Sequence, residues 1–242
     1  MSQLIQVALN GARSDTEHPA IPRTPYELAR QARAAVDAGA QVVHLHAYDD
    51  GVETLAAAPC AAALRAVRAA CAGVPISLTT SADIAPDPTR RLELVAAWTE
   101  LPDLVTANQG EEGILELCEH LMARGVGMEA GLLTLADAET FVRTGIADRC
   151  VRALIEPLDG EPREAVAHAA AMEDLLVSAG IQLEQVHHGD GVASWAVNMQ
   201  AAKRGHGIRT GLEDTTVMPD GQRATDNAAL VRHASEIMQK GA

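Results

Sequence analysis

The sequence predicts a single (β/α)8 TIM barrel spanning residues 1–242. Three observations carry that expectation. Short β-like runs alternate with longer helical runs along the whole chain, eight of each. Such alternation implies parallel strands joined by helical crossovers. The length of 242 residues suits a closed barrel, which takes about 250. Hydrophobic residues make up 48% of the chain but aromatics only 2%, so alanine, valine and leucine must fill the interior. Small aliphatic side chains suit helices packed on a parallel sheet. An open doubly wound sheet is the alternative. It usually closes with fewer units and carries a Gly-rich first turn, whereas the first turn here reads Asn10-Gly11-Ala12-Arg13.

The elements follow in order. Residues Leu4 to Leu9 form a first strand. Thr24-Pro25 starts a helix to about Ala38, because threonine caps and proline fits the first turn. Gln41 to His46 is a second strand, Pro59 to Ala72 a helix, and Pro75 to Thr79 a third strand. A helix from about Pro88 to Trp98 leads to strand Asp103 to Thr106. A helix over Glu112 to Arg124 leads to strand Val126 to Glu129. Then come helix Asp137 to Arg143, strand Cys150 to Ile155, helix Glu161 to Ala179 and strand Leu183 to His188. Helix Val192 to Arg204, strand Gly207 to Gly211 and helix Thr225 to Gln239 complete the alternation.

The formal net charge of −14, with no basic stripe, speaks against a nucleic-acid partner. Apolar stretches are short and broken by charge, so none is expected to cross a membrane. The first residues show no basic region followed by a long apolar run, and a cytoplasmic location is expected. The cysteines at 60, 71, 118 and 150 form no CxxC pair and read as reduced thiols.

Chemistry in this fold sits at the C-terminal ends of the strands. His44 and His46 stand at i and i+2 on strand two, so both imidazoles point to one face and can share one cation. An open catalytic site needs a third ligand. Strand eight offers Glu213 and Asp214 just past its end. Adjacent carboxylates on an extended segment point to opposite sides, so one can bind metal while the other faces substrate. Arg209 can orient a carboxylate or clamp an anion. Thr79, Thr106, Asn108 and Glu129 are polar groups at other strand ends, suited to fixing a small ligand or to ordinary helix capping. Gly189 and Gly191 lie in a turn feeding a helix, where free N–H groups can meet an anion; the same pattern is also a plain turn.

These residues resemble the β-keto acid cleavage enzymes. The resemblance covers nearly the whole chain and is sharpest at Leu9-Asn10-Gly11-Ala12, from Asp37 through His46, and from Gly205 through Asp214. It implies a TIM barrel, commonly a homotetramer, with one Zn2+ bound by His44, His46 and Glu213. It implies reaction of a β-keto acid with acetyl-CoA to give acetoacetate and a new acyl-CoA. Asp214 would be the base, Arg209 would hold Asp214 and the substrate acid, Thr79 would be a hydroxyl near the metal, and Glu129 a substrate-selecting acid. Three departures concern the pocket. Arg13 stands where the family usually has glutamate, Tyr48 where it usually has arginine, and Thr79-Thr80-Ser81-Ala82 replaces S-T-G-G. At the first strand's end Arg13 faces the mouth, where its fork suits an anionic distal group on the substrate; pairing with Asp15, Glu17 or Glu129 is the other expectation. The alternatives are a different metal-dependent barrel enzyme acting through an enolate or metal-bound water, and a metabolite-binding barrel without turnover.

Overall fold

The computed structural model describes residues 3–241. Its strands are β1 (Ile5–Ala8), β2 (Val42–Leu45), β3 (Tyr48–Asp49), β4 (Val52–Glu53), β5 (Ile76–Thr79), β6 (Leu104–Asn108), β7 (Gly127–Leu132), β8 (Arg152–Ile155), β9 (Glu184–His187) and β10 (Gly207–Thr210). The helices are α1 (Pro25–Asp37), α2 (Ala57–Ala70), α3 (Pro88–Ala96), α4 (Ile114–Ala123), α5 (Leu135–Thr144), α6 (Pro162–Ser178), α7 (Ser194–Arg204) and α8 (Asn227–Gly241). Eight strands close in the order β1-β10-β9-β8-β7-β6-β5-β2, every pair parallel. The β1–β10 pairing, with Gln6 opposite Arg209, is the seam that an open sheet would lack.

Local chemistry explains the helix boundaries. Thr24 caps α1 in a reciprocal capping box with Glu27, with proline in the first turn. Thr134 and Asp137 do the same for α5, which therefore starts earlier than expected. Asp87 caps α3 by accepting from the amides of Thr89 and Arg90. Each such cap is worth about 1 kcal/mol.

The buried core lies between the strands and the surrounding helices. Ile5, Val7 and Leu9 on the first strand and its exit, Val43 and Leu45 on β2, and Leu28, Ala32 and Ala35 on α1 belong to one cluster. The few aromatics act as anchors: Trp98 is buried and donates its indole N–H to the Leu55 carbonyl at 2.7 Å. The four cysteines are free and buried. Burial pushes the Cys60 and Cys118 thiols up to about 12 and Cys150 to about 11, so they remain protonated. Among the described residues no helix is long and apolar enough to cross a membrane.

Two differences from the expected elements bear on the site. Strand β7 runs on to Leu132, so Glu129 is a mid-strand residue rather than a strand end. The second is an antiparallel hairpin, β3–β4, directly after β2. Its turn, Asp50-Gly51, has positive φ at both residues (46° and 79°), as a two-residue hairpin with the right twist requires.

Candidate metal centre

Beneath the barrel mouth lies a buried polar layer. Ser77 on β5 and Thr106 on β6 place their hydroxyls 3.2 and 3.3 Å from His44 Nδ1. Ser77 donates in turn to Glu129 at 2.5 Å. Glu129, wholly buried, also accepts from Arg152 at 2.9 Å and from Gln6 at 3.2 Å. Its charge is thus neutralised inside the barrel, and removing one partner of such a pair costs ~3–5 kcal/mol. Glu129 sits below the imidazole and holds Ser77. Thr106 likewise supports His44.

Above this layer, His44 Nε2 and His46 Nε2 each stand 3.6 Å from Glu213 Oε1. One donor atom from each of the three residues lies within 4.8 Å of the others. Donors of a tetrahedral ion bound at 2.0–2.1 Å are about 3.4 Å apart, close to the two 3.6 Å separations from Glu213. Two imidazoles and one carboxylate leave the fourth position open, as a catalytic ion requires. Glu213 Oε2 is buried with no hydrogen-bond partner, an orphan that a cation would satisfy. Charge balance agrees: the carboxylates of Glu53, Glu156, Glu213 and Asp214 surround this centre, while Arg209 is its one fully buried guanidinium.

Gly11 makes the approach of Glu213 possible. Its φ is +55°, and an added Cβ would fall 2.5 Å from Glu213 Cγ. Arg209, on β10, donates to Asp214 from Nε at 3.1 Å and from Nη2 at 2.7 Å, and reaches Glu213 at 2.8 Å. Burial alone would raise both carboxyls; the guanidinium outweighs it and holds both below their ordinary range. Burial pushes the His44 imidazole down to about 3, against the pull of Glu213. His46 is desolvated too, but Glu213 and Glu53 together outweigh that cost and raise it to about 9.

The other expected residues make the following contacts. Thr79, one pleat above Ser77 on the same face, uses its hydroxyl to accept the Ser81 amide at 3.2 Å. The hydroxyl against the imidazole is Ser77's, two residues earlier. Asn108 donates to Glu111 at 2.9 Å, and Glu111 pairs with the buried Arg91 at 2.7 Å, so Asn108 braces the loop after β6. Arg13 spends its donors on the Glu213 carbonyl at 2.7 Å, Asp190 at 2.9 Å and Glu17 at 3.4 Å. It staples the segment bearing Glu213 and pairs with Glu17, one of its expected partners. The turn through Gly189 and Gly191 is held by local contacts. The Gly191 amide donates to the Asp214 carbonyl at 2.7 Å, Gly189 packs against Val197 and Ala193, and Asp190 adds a negative charge between them.

Sequence reasoning missed Ser77, Glu53, Glu156 and His188. His188 is buried, 3.3 Å from Glu156 and 3.5 Å from Asp214, with neither nitrogen hydrogen-bonded. Strand alternation was a usable signal: of His187-His188, one must face inward. His187 faces outward, stacked on His206 at 4.6 Å with rings 11° apart. Glu173 beside them has the spacing of a ligand set, but it is already paired with Arg204 through both oxygens at 2.7 and 2.8 Å. Near-parallel rings also fail to converge on one ion, so the barrel mouth is the better cation site.

Residues 3–241 match the beta-keto acid cleavage enzyme family. The chain belongs to that family. It is 28% identical over 258 residues to the 3-keto-5-aminohexanoate cleavage enzyme of Fusobacterium nucleatum subsp. nucleatum, covering 98% of this chain and 91% of that one. The same enzyme from Acetoanaerobium sticklandii is 32% identical over 123 residues, 49% of this chain and 45% of the relative. Among solved structures, the ternary complex of ObcA with C4-CoA adduct and oxalate superposes with a TM-score of 0.74 at 18% identity, over 93% of this chain. This chain spans 65% of the length of that protein. The 3-dehydroquinate dehydratase of Aquifex aeolicus VF5 gives 0.61 at 14% identity over 98% of both chains. The last two likenesses bear on the fold alone. In this member of the family His44, His46 and Glu213, which could hold a metal ion, lie at one barrel mouth with Arg209 and Asp214.

Proposed function

We propose that this protein is a metal-dependent β-keto acid cleavage enzyme that uses Zn2+ and acetyl-CoA. The observation that carries the reading is the convergence of His44, His46 and Glu213, with Asp214 held beside them by Arg209. His44, His46 and Glu213 would hold the ion. Arg209 keeps Asp214 ionised, so the carboxylate is ready to accept a proton at neutral pH. A base held that low is weak, and it needs an acidified C–H. A bound divalent cation would supply this by drawing electron density from the ketone and carboxylate oxygens of the substrate.

Asp214 then takes a proton from the carbon between ketone and carboxylate. That carbon attacks the thioester carbonyl of acetyl-CoA and expels the coenzyme A thiolate. The thiolate adds to the former ketone carbon, and the bond to the central carbon breaks. The products are a new acyl-CoA and the acetoacetate carbanion, which recovers its proton from Asp214. Arg209, beside both carboxylates, also suits an anionic substrate group.

Purified protein loaded with Zn2+ is to be offered acetyl-CoA and a panel of β-keto acids with acetoacetate as the readout. Formation of acetoacetate that requires both co-substrates is expected. Bound metal without turnover across the panel would refute the reading and favour a metabolite-binding barrel. The same reading expects a homotetramer, which light scattering in solution decides.

A further inference from the structure

We propose that Glu53 is a positioning residue for the cation site: its carboxylate accepts a hydrogen bond from His46 Nδ1–H and so commits Nε2 of that ring to the metal. The inference rests on His44, His46 and Glu213 being metal ligands. A neutral imidazole has one donor nitrogen and one acceptor, and the partner of one nitrogen decides the role of the other. For His46 the decision is local, because Nδ1 lies 2.5 Å from Glu53 Oε1.

The carboxylate is held in place by the β3–β4 hairpin. Glu53 pairs with Tyr48 across the two strands, and the Thr54 amide donates to the Ala47 carbonyl at 2.9 Å. Tyr48 donates its hydroxyl to the Gly11 carbonyl at 2.5 Å. Arg23 lies 4.9 Å over the Tyr48 ring and donates to the Gly51 carbonyl at 3.3 Å. The hairpin is therefore tied through Tyr48 to the Gly11 turn that also admits Glu213. The two imidazoles are supported differently. His44 Nδ1 meets only the Ser77 and Thr106 hydroxyls, whereas His46 Nδ1 meets a carboxylate directly. A carboxylate behind a ligating histidine fixes the ring and raises its basicity, and losing one costs ~10–100-fold in metal affinity.

The test measures Zn2+ affinity by competition with a chromophoric chelator for wild type, Glu53→Gln and Glu53→Ala. Circular dichroism of the metal-free proteins checks folding. Glu53→Ala should lose ~10–100-fold. Glu53→Gln should lose less, because its amide oxygen still accepts the hydrogen bond; if the alanine variant does not fold, the glutamine variant decides. Nitrogen NMR of the loaded proteins should show His46 Nδ1 protonated in wild type and its signal displaced in the variants. Wild-type affinity with an undisplaced His46 signal in the variants overturns the role of Glu53 and leaves the metal reading standing. A wild-type protein that takes up no Zn2+ overturns both.

Discussion

Replacing Gly11 with alanine separates backbone strain from a clash at the candidate metal centre. The added Cβ would sit 2.5 Å from Glu213 Cγ and 3.1 Å from Cδ. Ordinary contact begins at 3.4 Å, so the glutamate must retreat by about 1 Å. Metal–ligand distances hold to about 0.2 Å, and a retreat of that size removes the carboxylate from the site. The variant also pays for φ of +55°, about 1–3 kcal/mol for a non-glycine residue. Gly73→Ala is the control, because its φ is +80° with nothing within 4 Å of the new Cβ. Thermal melts of the metal-free proteins should show both variants destabilised, Gly11→Ala the more because it carries the clash as well as the strain, at ~2–4 °C per kcal/mol for a chain of this size. Chelator competition should show only Gly11→Ala losing Zn2+ affinity, by more than ~10-fold. If Gly11→Ala binds Zn2+ like wild type, Glu213 is not a ligand or has another route to the ion, and the assignment of the site fails.

Asp214→Asn should retain the metal and lose ~10²-fold or more in turnover; near-normal kcat in that variant moves the base elsewhere, with His188 the nearest candidate. Arg13→Gln should lower kcat/KM for every β-keto acid tested without changing their order, because Arg13 braces the backbone of Glu213 and pairs with Asp190; a changed order among neutral, cationic and anionic distal groups would make Arg13 a selector. Metal-free protein should be most stable near pH 6.5. His44 and His187 are lowered from 6.5 to about 3, so the unfolded chain binds more protons between those values and stability falls as pH drops through that window. His46 is raised from 6.5 to about 9, so the folded chain binds more protons there, and its contribution is lost as pH rises from 6.5 through 9. Melting temperatures across pH 4–10 (~one-unit steps) test this, and a monotonic rise from acid to base would contradict the assigned signs.

The barrel and the paired imidazoles of the candidate metal centre were legible in the chain because they rest on local periodicities, and Glu213 was named just past the last strand. Alternating apolar runs specify strand and helix, and Thr24-Pro25 and Gly39 mark helix ends within a few residues. His44 and His46 share a face because a strand alternates with period two, whatever the strand packs against. Even the β3–β4 hairpin carried a local signal in Asp50-Gly51, though strands of two residues are too short for periodicity to reveal. How the site residues meet was decided by closure. Glu213 meets His44 across a contact separated by most of the chain, and only the β1–β10 seam brings them together. Which carboxylate supports which imidazole depends on register: Ser77 lies opposite His44, while Thr106 is the neighbour of Glu129. These pairings put Glu129 below the mouth and let Ser77, rather than Thr79, meet the ring. The position of Arg13 at the barrel's end was readable, but not its partners, because a long flexible side chain takes whichever acceptors folding presents. Here those are the Glu213 carbonyl and Asp190, both distant in sequence. Local backbone geometry sets which face a side chain occupies; only the closed barrel sets what waits on that face.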